Sequence, residues 1–350
     1  MKVSINIVTY NAIKYLDDCL RSVFNQTYRD FKILVVDNGS QDGTVEHLRR
    51  DYPEVTVLQN FKNLGFCQGN NQAIKFWESE FVLLLNQDVI LAPDWLEKII
   101  AVADARPKLS SLSGKVLKIN SSEAAAPGIR PEIIDTTGIF ARQSRRFYDR
   151  GAGEEDKGQY QQTEEVFGLS GNLVLLRRAA LEAVKIKNRR RGENLKFTAE
   201  ADYYEYLDED FFMYKDDVDL AWRLQSNGWS ALYLPTAEAY HYRTGFGHAA
   251  GGNLITWRDR RRKSRFVNRL SFRNHWLLLA KNEYLGNFFR ALPWILGYEL
   301  KKIAYVLICE VGTTRSVGQF FALIPNVWHK RRQLKRLRKV DAKVMRQWFK

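Results

Sequence analysis

The chain has 350 residues, of which 45% are hydrophobic and 13% aromatic, so it can bury a sizeable core and is neither disordered nor fibrous. Its three cysteines lie far apart without a CxxC pair, which argues against a disulfide scaffold or structural zinc and fits a reducing compartment. The net charge of +14 is uneven, because residues 254–350 hold 23 basic and 5 acidic side chains (+18) and residues 1–253 hold the other 31 and 35 (−4).

The first hundred residues alternate between strand and helix patterns. The predicted strands are Val3–Val8, Phe31–Val36, Val55–Leu58 and Phe81–Leu85, and the segments between them carry apolar residues at helical spacing. Continuous apolar strands that alternate with helices indicate a parallel sheet covered by helices on both faces. Ligands bind such sheets beyond the carboxyl ends of the strands, so the turns at Asp37–Ser40 and Asn86–Asp88 are candidate ligand sites.

The middle of the chain is less regular. From Asn120 to Glu165 small, polar and charged residues dominate, and we predict a long excursion of a kind that is often functional. Regular structure is expected to return at 167–176, followed by predicted helices at 178–184 and 217–227 and a predicted strand at 230–234. Residues 185–206 interrupt them with a charged, irregular segment around Arg189–Arg191.

Two residues are candidate ligands of a divalent cation. Asp88 follows the fourth predicted strand, where a carboxylate faces the ligand crevice and suits Mg²⁺ or Mn²⁺. A helix N-cap or a solvated turn explains this aspartate equally well. His241 comes just after the last predicted strand, among aromatic residues, and such a histidine is either structural or a metal ligand.

Six acids occur in the twelve residues from Asp208 to Asp219, around the aromatic pair Phe211–Phe212. A helix N-terminus favours negative charge and accounts for Asp216 and Asp217, but not for the acids before the aromatic pair. A carboxylate held against apolar walls has a raised pKa and can act as a general base. Asp217 is the candidate for this role.

Five motifs follow one another between residues 3 and 245. They are Ile7–Asn11, Val35–Gly43, Asn63–Phe66 with Gly69–Asn71, Leu85–Asp88, and Lys215–Arg223 with His241 downstream. Each motif is weak alone, but in this order they closely resemble those of inverting glycosyltransferases of family two. That family has the GT-A fold, a Rossmann-like and mostly parallel sheet flanked by helices. The chain is most similar to the rhamnosyltransferase branch of bacterial polysaccharide-assembly enzymes.

The resemblance implies a role for each matching residue. The nucleotide-sugar donor would meet Thr9, Tyr10, Asn11, Asp37, Asn63, Gly65, Asn70 and Asn86. A divalent cation, Mg²⁺ or Mn²⁺, would be held by Asp88 and His241, and Asp217 would be the catalytic base. The acceptor would meet Gly171, Asn172, Asp216 and Trp222. Residues 185–206 would be an insertion relative to the family, and its arginines either form a solvated loop or contact a diphosphate acceptor. Asn86 replaces the more usual first acid of the DxD motif, which leaves the cation with fewer anionic ligands.

The resemblance also implies a reaction and a place in the cell. A sugar would pass with inversion from a nucleotide diphosphate to a glycan on a polyprenyl diphosphate, in the cytoplasm at the inner face of the cell membrane, during cell-surface polysaccharide biosynthesis. The preferred donor is dTDP-rhamnose, which carries L-rhamnose. Other donors (UDP-GlcNAc, UDP-Gal or UDP-galactofuranose) and a non-catalytic membrane-associated scaffold are the alternatives. A processive polysaccharide synthase is disfavoured because spanning helices and a Gln-x-x-Arg-Trp motif are missing.

Residues 254–350 are predicted to form a basic, amphipathic helical extension of a domain that covers residues 1–253. Mixed basic and aromatic residues are typical of a helix that lies on an anionic membrane. Packing on the catalytic domain and a homo-oligomer interface are the alternatives, and no nucleic-acid module accompanies the charge. The most apolar stretch, Tyr284–Cys309, carries four charged residues, and the chain begins directly with a strand pattern, so we predict neither a spanning helix nor a signal peptide.

Overall fold

The computed structural model describes residues 1–119, 132–188, 203–243, 260 and 263–350. The first part of the predicted excursion, the Arg189–Arg191 run and most of the stretch 244–262 lie outside the described residues. The strands are β1 (Val3–Thr9), β2 (Phe31–Asp37), β3 (Thr56–Gln59), β4 (Phe81–Asn86), β5 (Val89–Leu91), β6 (Leu109–Lys118), β7 (Ile133–Thr136), β8 (Ile139–Ala141), β9 (Phe147–Asp149), β10 (Glu164–Val166), β11 (Leu173–Arg177), β12 (Ile186–Lys187), β13 (Tyr204–Glu205) and β14 (Ser230–His241). The helices are α1 (Ile13–Phe24), α2 (Thr44–Asp51), α3 (Phe66–Phe76), α4 (Trp95–Ala105), α5 (Arg178–Val184), α6 (Asp216–Ser226), α7 (Arg265–Asn282), α8 (Leu285–Cys309), α9 (Arg315–Leu337) and α10 (Ala342–Arg346).

The strands predicted in the first hundred residues pair in parallel, in the order β3, β2, β1, β4. The sheet continues through β11, which runs antiparallel to β4 and β6, and reaches β14, which runs parallel to β6. Strands β10 and β5 pair with β14, and β7 pairs with β6. The predicted α/β class with a helical C-terminal extension is confirmed.

Apolar residues on both faces of the sheet are buried beneath helices. One face is covered by α1, α2 and α4, where Leu20 and Trp95 are fully excluded from solvent. The other face is covered by α3, α5, α6 and the extension, which contributes Leu277, Val327 and Met345. Helices α7, α9 and α10 of the extension therefore share the core of the sheet. The division at residue 253 stays a prediction.

No helix in the described part of the chain combines the length and the apolar character needed to cross a bilayer. The helix α8, which covers the stretch considered as a span from the sequence, is interrupted by Arg290, Glu299, Lys301 and Lys302. A spanning helix needs about 20 predominantly apolar residues.

Strands β6 and β14 are among those that differ from the sequence prediction. Strand β6 was not predicted, because its serines and Gly114 break the apolar pattern, yet all its residues but the last are buried between β11 and β14. Strand β14 continues past its predicted end at Leu234 through a register shift that ends at Glu238. Pro235 lies in this shift and cannot donate a ladder hydrogen bond. The longer strand carries His241 to the edge of the sheet where β4 ends.

Candidate active site

A cavity of about 880 Å³ opens at the carboxyl ends of β1 and β4. The sequence predicts ligand sites after β2 and β4, and the predicted turn after β4 lines the cavity. Its walls come from the turns after β1 and β4, from β9, from the loop before β11, from residues 212–218 and from the end of β14. Eleven of the fifteen residues predicted for the site line it: Thr9, Tyr10, Asn63, Gly65, Asn86, Asp88, Gly171, Asn172, Asp216, Asp217 and His241. Its volume lies in the usual range for small-molecule sites, about 300–1,000 Å³.

The two candidate metal ligands lie side by side on the cavity wall. His241 Nε2 lies 3.2 Å from Asp88 Oδ1. On the other edge of the ring, Nδ1 lies 2.8 Å from Asp135 Oδ2, so a carboxylate fixes the orientation of the imidazole. The pairing of β5 with β14 brings the residues together, because His241 is the register partner of Val89.

His241 and Asp135 each lie beside side chains of opposite charge. Burial opposes the protonated form of His241, but hydrogen bonds to Asp135 and Asp88 outweigh burial and raise the pKa of the imidazole to about 9. Burial likewise opposes the ionised form of Asp135, and there Arg243, followed by His241, lowers the pKa of the carboxyl. The buried Asp135 thus favours its charged form because Arg243 and His241 face it.

A divalent cation fits the chemistry of Asp88 and His241. A carboxylate oxygen and a ring nitrogen whose other edge is tied to a carboxylate form a common donor set. Among the described residues no three His, Cys, Asp or Glu side chains converge on one metal position. Water and phosphate oxygens would complete the shell, as is usual for Mg²⁺.

Asp217, the candidate base, is the second residue of α6 and lies on the cavity wall. One carboxylate oxygen faces the Gly171 N–H at 3.4 Å, and the other accepts the Val218 N–H at 2.7 Å. Desolvation, followed by the nearby charge of Asp149, raises the pKa of Asp217, while Lys215 acts in the opposite direction. A raised pKa suits a carboxylate that must accept a proton.

The loop before β11 joins the candidate base to the candidate metal ligands. The Gly171 N–H faces Asp217. The next residue, Asn172, places its Nδ2 3.1 Å from Asp135 Oδ2 and 3.2 Å from His241 Nδ1. Two adjacent residues thus contact both groups, which fixes their separation across the cavity.

Three predicted donor residues support the cavity turns from behind and do not line the cavity. Asp37 is fully buried and accepts hydrogen bonds from the Thr9 hydroxyl at 3.0 Å and the Ser40 N–H at 2.9 Å. Asn70 is buried in α3 and donates to a carbonyl of its own helix. Asn11, with φ of 53°, accepts a hydrogen bond from the turn after β2.

The expected acceptor contact of Trp222 is corrected by the structure. Its indole is fully buried, with its centroid 5.6 Å from that of Phe147 and 5.2 Å from that of Phe349. Trp222 therefore packs behind Phe147, which does line the cavity. Asp216 lines the cavity but is only 4% exposed, and burial, followed by the charge of Asp217, raises its pKa to about 8.

Sequence reasoning missed five charged residues of the cavity wall: the aspartates Asp135 and Asp149 and the cations Lys215, Arg243 and Lys263. The guanidinium of Arg243 pairs with both carboxylates. The aspartates come from β7 and β9, within the predicted excursion, and no spacing in the sequence relates them. Arg243 lies two residues after His241, and this proximity was the one available signal for it.

Comparisons with known proteins agree with one another. The family model described as Glycosyl transferase family 2 matches residues 4–185, more than half of the 350 residues. An N-acetylglucosaminyl-diphospho-decaprenol L-rhamnosyltransferase from Mycobacterium tuberculosis is 27% identical over 274 residues, which cover 74% of this chain and 81% of that protein. An uncharacterized glycosyltransferase from Bacillus subtilis, YfnE, is 26% identical over 64% of this chain and 50% of its own length.

Solved structures share the fold at low sequence identity. S. aureus TarS 1–349 in complex with UDP-GlcNAc has a TM-score of 0.52 at 18% identity, over 99% of this chain and 90% of that chain. GalNAc-T7 with UDP, GalNAc and Mn²⁺ has a TM-score of 0.54 at 13% identity, over 80% of this chain but only 48% of that chain. The likeness to these transferases confirms the predicted GT-A fold.

Proposed function

This chain belongs to glycosyl transferase family 2 and is a glycosyltransferase, and on that premise we propose that it moves L-rhamnose, with inversion, from dTDP-rhamnose to a glycan on a polyprenyl diphosphate. The observation that carries the proposal is the cavity wall on which Gly171 and Asn172 join Asp217 to His241. The relative from M. tuberculosis supports the sugar and the acceptor class, because its name states an L-rhamnosyl transfer to a diphospho-decaprenol.

Asp217 acts on the acceptor in this proposal. Its carboxylate takes the proton of an acceptor hydroxyl while that oxygen attacks the anomeric carbon of the donor. The new bond forms on the face opposite the nucleotide diphosphate. The bond from the anomeric carbon to the diphosphate breaks, and the diphosphate leaves with the electron pair, so the configuration inverts. The Gly171 N–H, 3.4 Å from the carboxylate, orients the base.

Asp88 and His241 hold the divalent cation, Mg²⁺ or Mn²⁺, and Asp135 holds the imidazole in place. When bound, the cation neutralises charge on the leaving diphosphate. Thr9, Tyr10, Asn63, Gly65 and Asn86 form the donor side of the cavity, with Asn11, Asp37 and Asn70 behind them. Gly171, Asn172 and Asp216 form the acceptor side, next to the aromatic residues Phe147 and Tyr148.

The extension supports a lipid-linked acceptor through the surface of α8. This helix exposes seven large apolar side chains: Leu285, Phe289, Trp294, Leu296, Leu300, Leu307 and Ile308. Its exposed charges are Arg290 and Lys301, while its single acid, Glu299, faces His275 and Lys302. An apolar stripe with exposed cations and no exposed acid complements an anionic membrane surface. We propose that α8 lies on the cytoplasmic leaflet.

A donor panel tests the proposed function. The purified protein is titrated with dTDP-rhamnose, UDP-GlcNAc, UDP-Gal and UDP-galactofuranose, in Mn²⁺ and in EDTA, and nucleotide release is measured. We expect release from dTDP-rhamnose alone, its loss in EDTA, and its loss in Asp88→Ala. Release from a UDP-sugar alone would contradict the assigned donor. Neither binding nor release with any donor, in a folded sample with acceptor lipid, would contradict the catalytic site.

A further inference from the structure

The loop that presents Asp216 and Asp217 has an uncommon backbone. Three residues that are not glycine, Phe212, Tyr214 and Lys215, have φ values of 66°, 67° and 69°. Side chains with a Cβ rarely adopt these angles, and runs of them persist only where surrounding contacts hold the backbone. Several of the contacts that hold this loop come from the C-terminal extension.

Helix α7 satisfies the carbonyl groups of the loop. The side-chain amide of Asn274, which is fully buried, donates to the carbonyls of Phe211 at 2.9 Å, Met213 at 2.9 Å and Tyr214 at 2.8 Å. The preceding residue, Arg273, donates to the carbonyl of Asp210 at 2.7 Å. Helix α7 therefore binds the carbonyls of three of the five residues between the acidic stretch and α6, namely Phe211, Met213 and Tyr214.

A buried ion cluster holds the beginning of the same loop. Lys281 of α7 pairs with Asp208 and, at 2.7 Å, with Asp219. Lys330 of α9 pairs with Asp208 at 2.5 Å and with Asp210 at 3.0 Å. Both lysines are 1% exposed or less, so these acids are neutralised by the extension and not by solvent.

The loop also touches the donor side of the cavity. The Cys67 N–H donates to the Phe212 carbonyl at 3.1 Å, and a Cβ added to Gly65 would lie 2.6 Å from the Phe212 ring. A displacement of the loop would therefore move the candidate base and part of the donor wall together.

We infer that Asn274 is a positioning residue for the transfer reaction, and that the extension sets the place of Asp217 through Asn274 and the Lys281–Lys330 cluster. The inference rests on the proposed role of Asp217 as base. Asn274 itself touches no reacting group. It acts by holding the carbonyls of Phe211, Met213 and Tyr214, so the orientation of the base depends on a helix that lies beyond the region matched by the family model.

Two substitutions at Asn274 and one matched control test the inference. Asn274→Ala removes the amide, and Asn274→Asp keeps its shape but removes its N–H donors. The control is Asn268→Ala, a buried asparagine of the same helix whose amide donates to the Arg260 carbonyl and to Glu310. We expect kcat to fall about 100-fold in both Asn274 variants, because small misplacements of a reacting group cost about that much. Asn268→Ala should lower Tm as Asn274→Ala does but keep kcat. Wild-type kcat in the Asn274 variants, or an equal loss in Asn268→Ala, would overturn the inference.

Hydrogen exchange of residues 211–219 decides the structural part without any activity. These amides should exchange faster in Asn274→Ala than in wild type, and Asn268→Ala should leave them unchanged. If no donor supports transfer by the wild-type protein, the proposed function fails, and the exchange measurement still tests the positioning. Unchanged exchange of this segment would overturn the inference even in an active enzyme.

Discussion

His241 and Asp217 both have raised pKa values, but for different physical reasons. Burial opposes the charged form of each. Two carboxylates, Asp135 and Asp88, outweigh burial at His241, so the imidazole holds a positive charge among acids. At Asp217 burial and the charge of Asp149 act together, so this carboxylate attracts a proton. The carboxylates around His241 thus attract positive charge, either the ring proton or a metal ion that replaces it, because a histidine ligand must be neutral. The surroundings of Asp217 suit a base.

The pH dependence of the reaction should follow Asp217. The charged groups that face its carboxylate are Asp149, Lys215 and Asp216. Because a base works in its deprotonated form, kcat/KM should rise with pH through a pKa above that of an exposed aspartate, about 3.9. Asp149→Asn removes a neighbouring negative charge and should move this limb to lower pH. The control is Glu155→Gln, an exposed acid. A limb that stays in place or moves upward in Asp149→Asn would contradict the assignment.

Asp135 should control the affinity of the cation through His241. Asp135→Asn weakens the contact that orients the imidazole, and such partners typically change metal affinity about 10–100-fold. The measurement is a Mn²⁺ titration by electron paramagnetic resonance in the presence of dTDP, which needs no turnover. Asp149→Asn is the matched control, because Asp149 also pairs with Arg243 and has no hydrogen bond to His241. Equal Mn²⁺ affinity in Asp135→Asn and wild type would refute the role.

The sequence predicted which turns surround the cavity better than it predicted which residues of those turns line it. The order of the motifs predicted that Asp88 and His241 share one site, although they are 153 positions apart in the chain. It could not separate residues that line the cavity from Asp37 and Asn70, which support it, because both kinds lie in the same turns. Trp222 was misplaced because helix α6 turns this side chain toward the core.

At the scale of elements, apolar runs predicted the strands β1–β4 because both faces of the parallel sheet are buried. Strand β6 was missed because its place between β11 and β14, and not its own composition, makes it a central strand of the sheet. The glycine at position 114 of β6 has a steric reason, because a Cβ there would lie 1.6 Å from the carbonyl oxygen of Ala237 in β14. The close approach of β14 at its register shift needs a residue without a side chain.

Gly114→Ala should destabilise the sheet, because the carbonyl it would meet belongs to the backbone and must move. We expect the free energy of unfolding to fall by about 2 kcal/mol or more, as in overpacked cores. Gly297→Ala in α8 is the matched control, since nothing lies within 4 Å of the added Cβ. It should raise stability by roughly 0.5–1 kcal/mol, as alanine does in a helix. Chemical denaturation measures both, and equal stability of the two variants would contradict this account of β6.

At the scale of the whole molecule, the basic residues of the extension include both buried side chains that pair with acids and exposed side chains. Lys281 and Lys330 are buried against acids of the catalytic body, while Arg290 and Lys301 are exposed on α8. Counting charges along the sequence gave the total but not this division. The partners of Lys330 lie about 120 residues away in the chain, and no local pattern connects them.

Helix α8 should bind anionic vesicles through its apolar stripe. Phe289→Glu with Leu300→Glu places two acids on that stripe and should weaken co-sedimentation with phosphatidylglycerol vesicles about tenfold or more. Phe76→Glu, at an exposed apolar residue of α3, is the matched control and should bind as wild type does. Transfer to a water-soluble acceptor should be unchanged in all three proteins. Equal vesicle binding by the double variant, or a wild-type dimer that the double variant dissociates, would contradict a membrane face.

The most direct test of the transferase mechanism is radiolabelled L-rhamnose transfer from dTDP-rhamnose to an N-acetylglucosaminyl-diphospho-polyprenol by the wild-type protein and by Asp217→Asn. We predict labelled lipid product from wild type and a loss of about 10²–10⁴-fold in Asp217→Asn, the usual contribution of a general base. Donor affinity should change by less than about threefold, because the base acts on the acceptor. Product formation by Asp217→Asn at the wild-type rate would contradict the central claim that this carboxylate takes the acceptor proton.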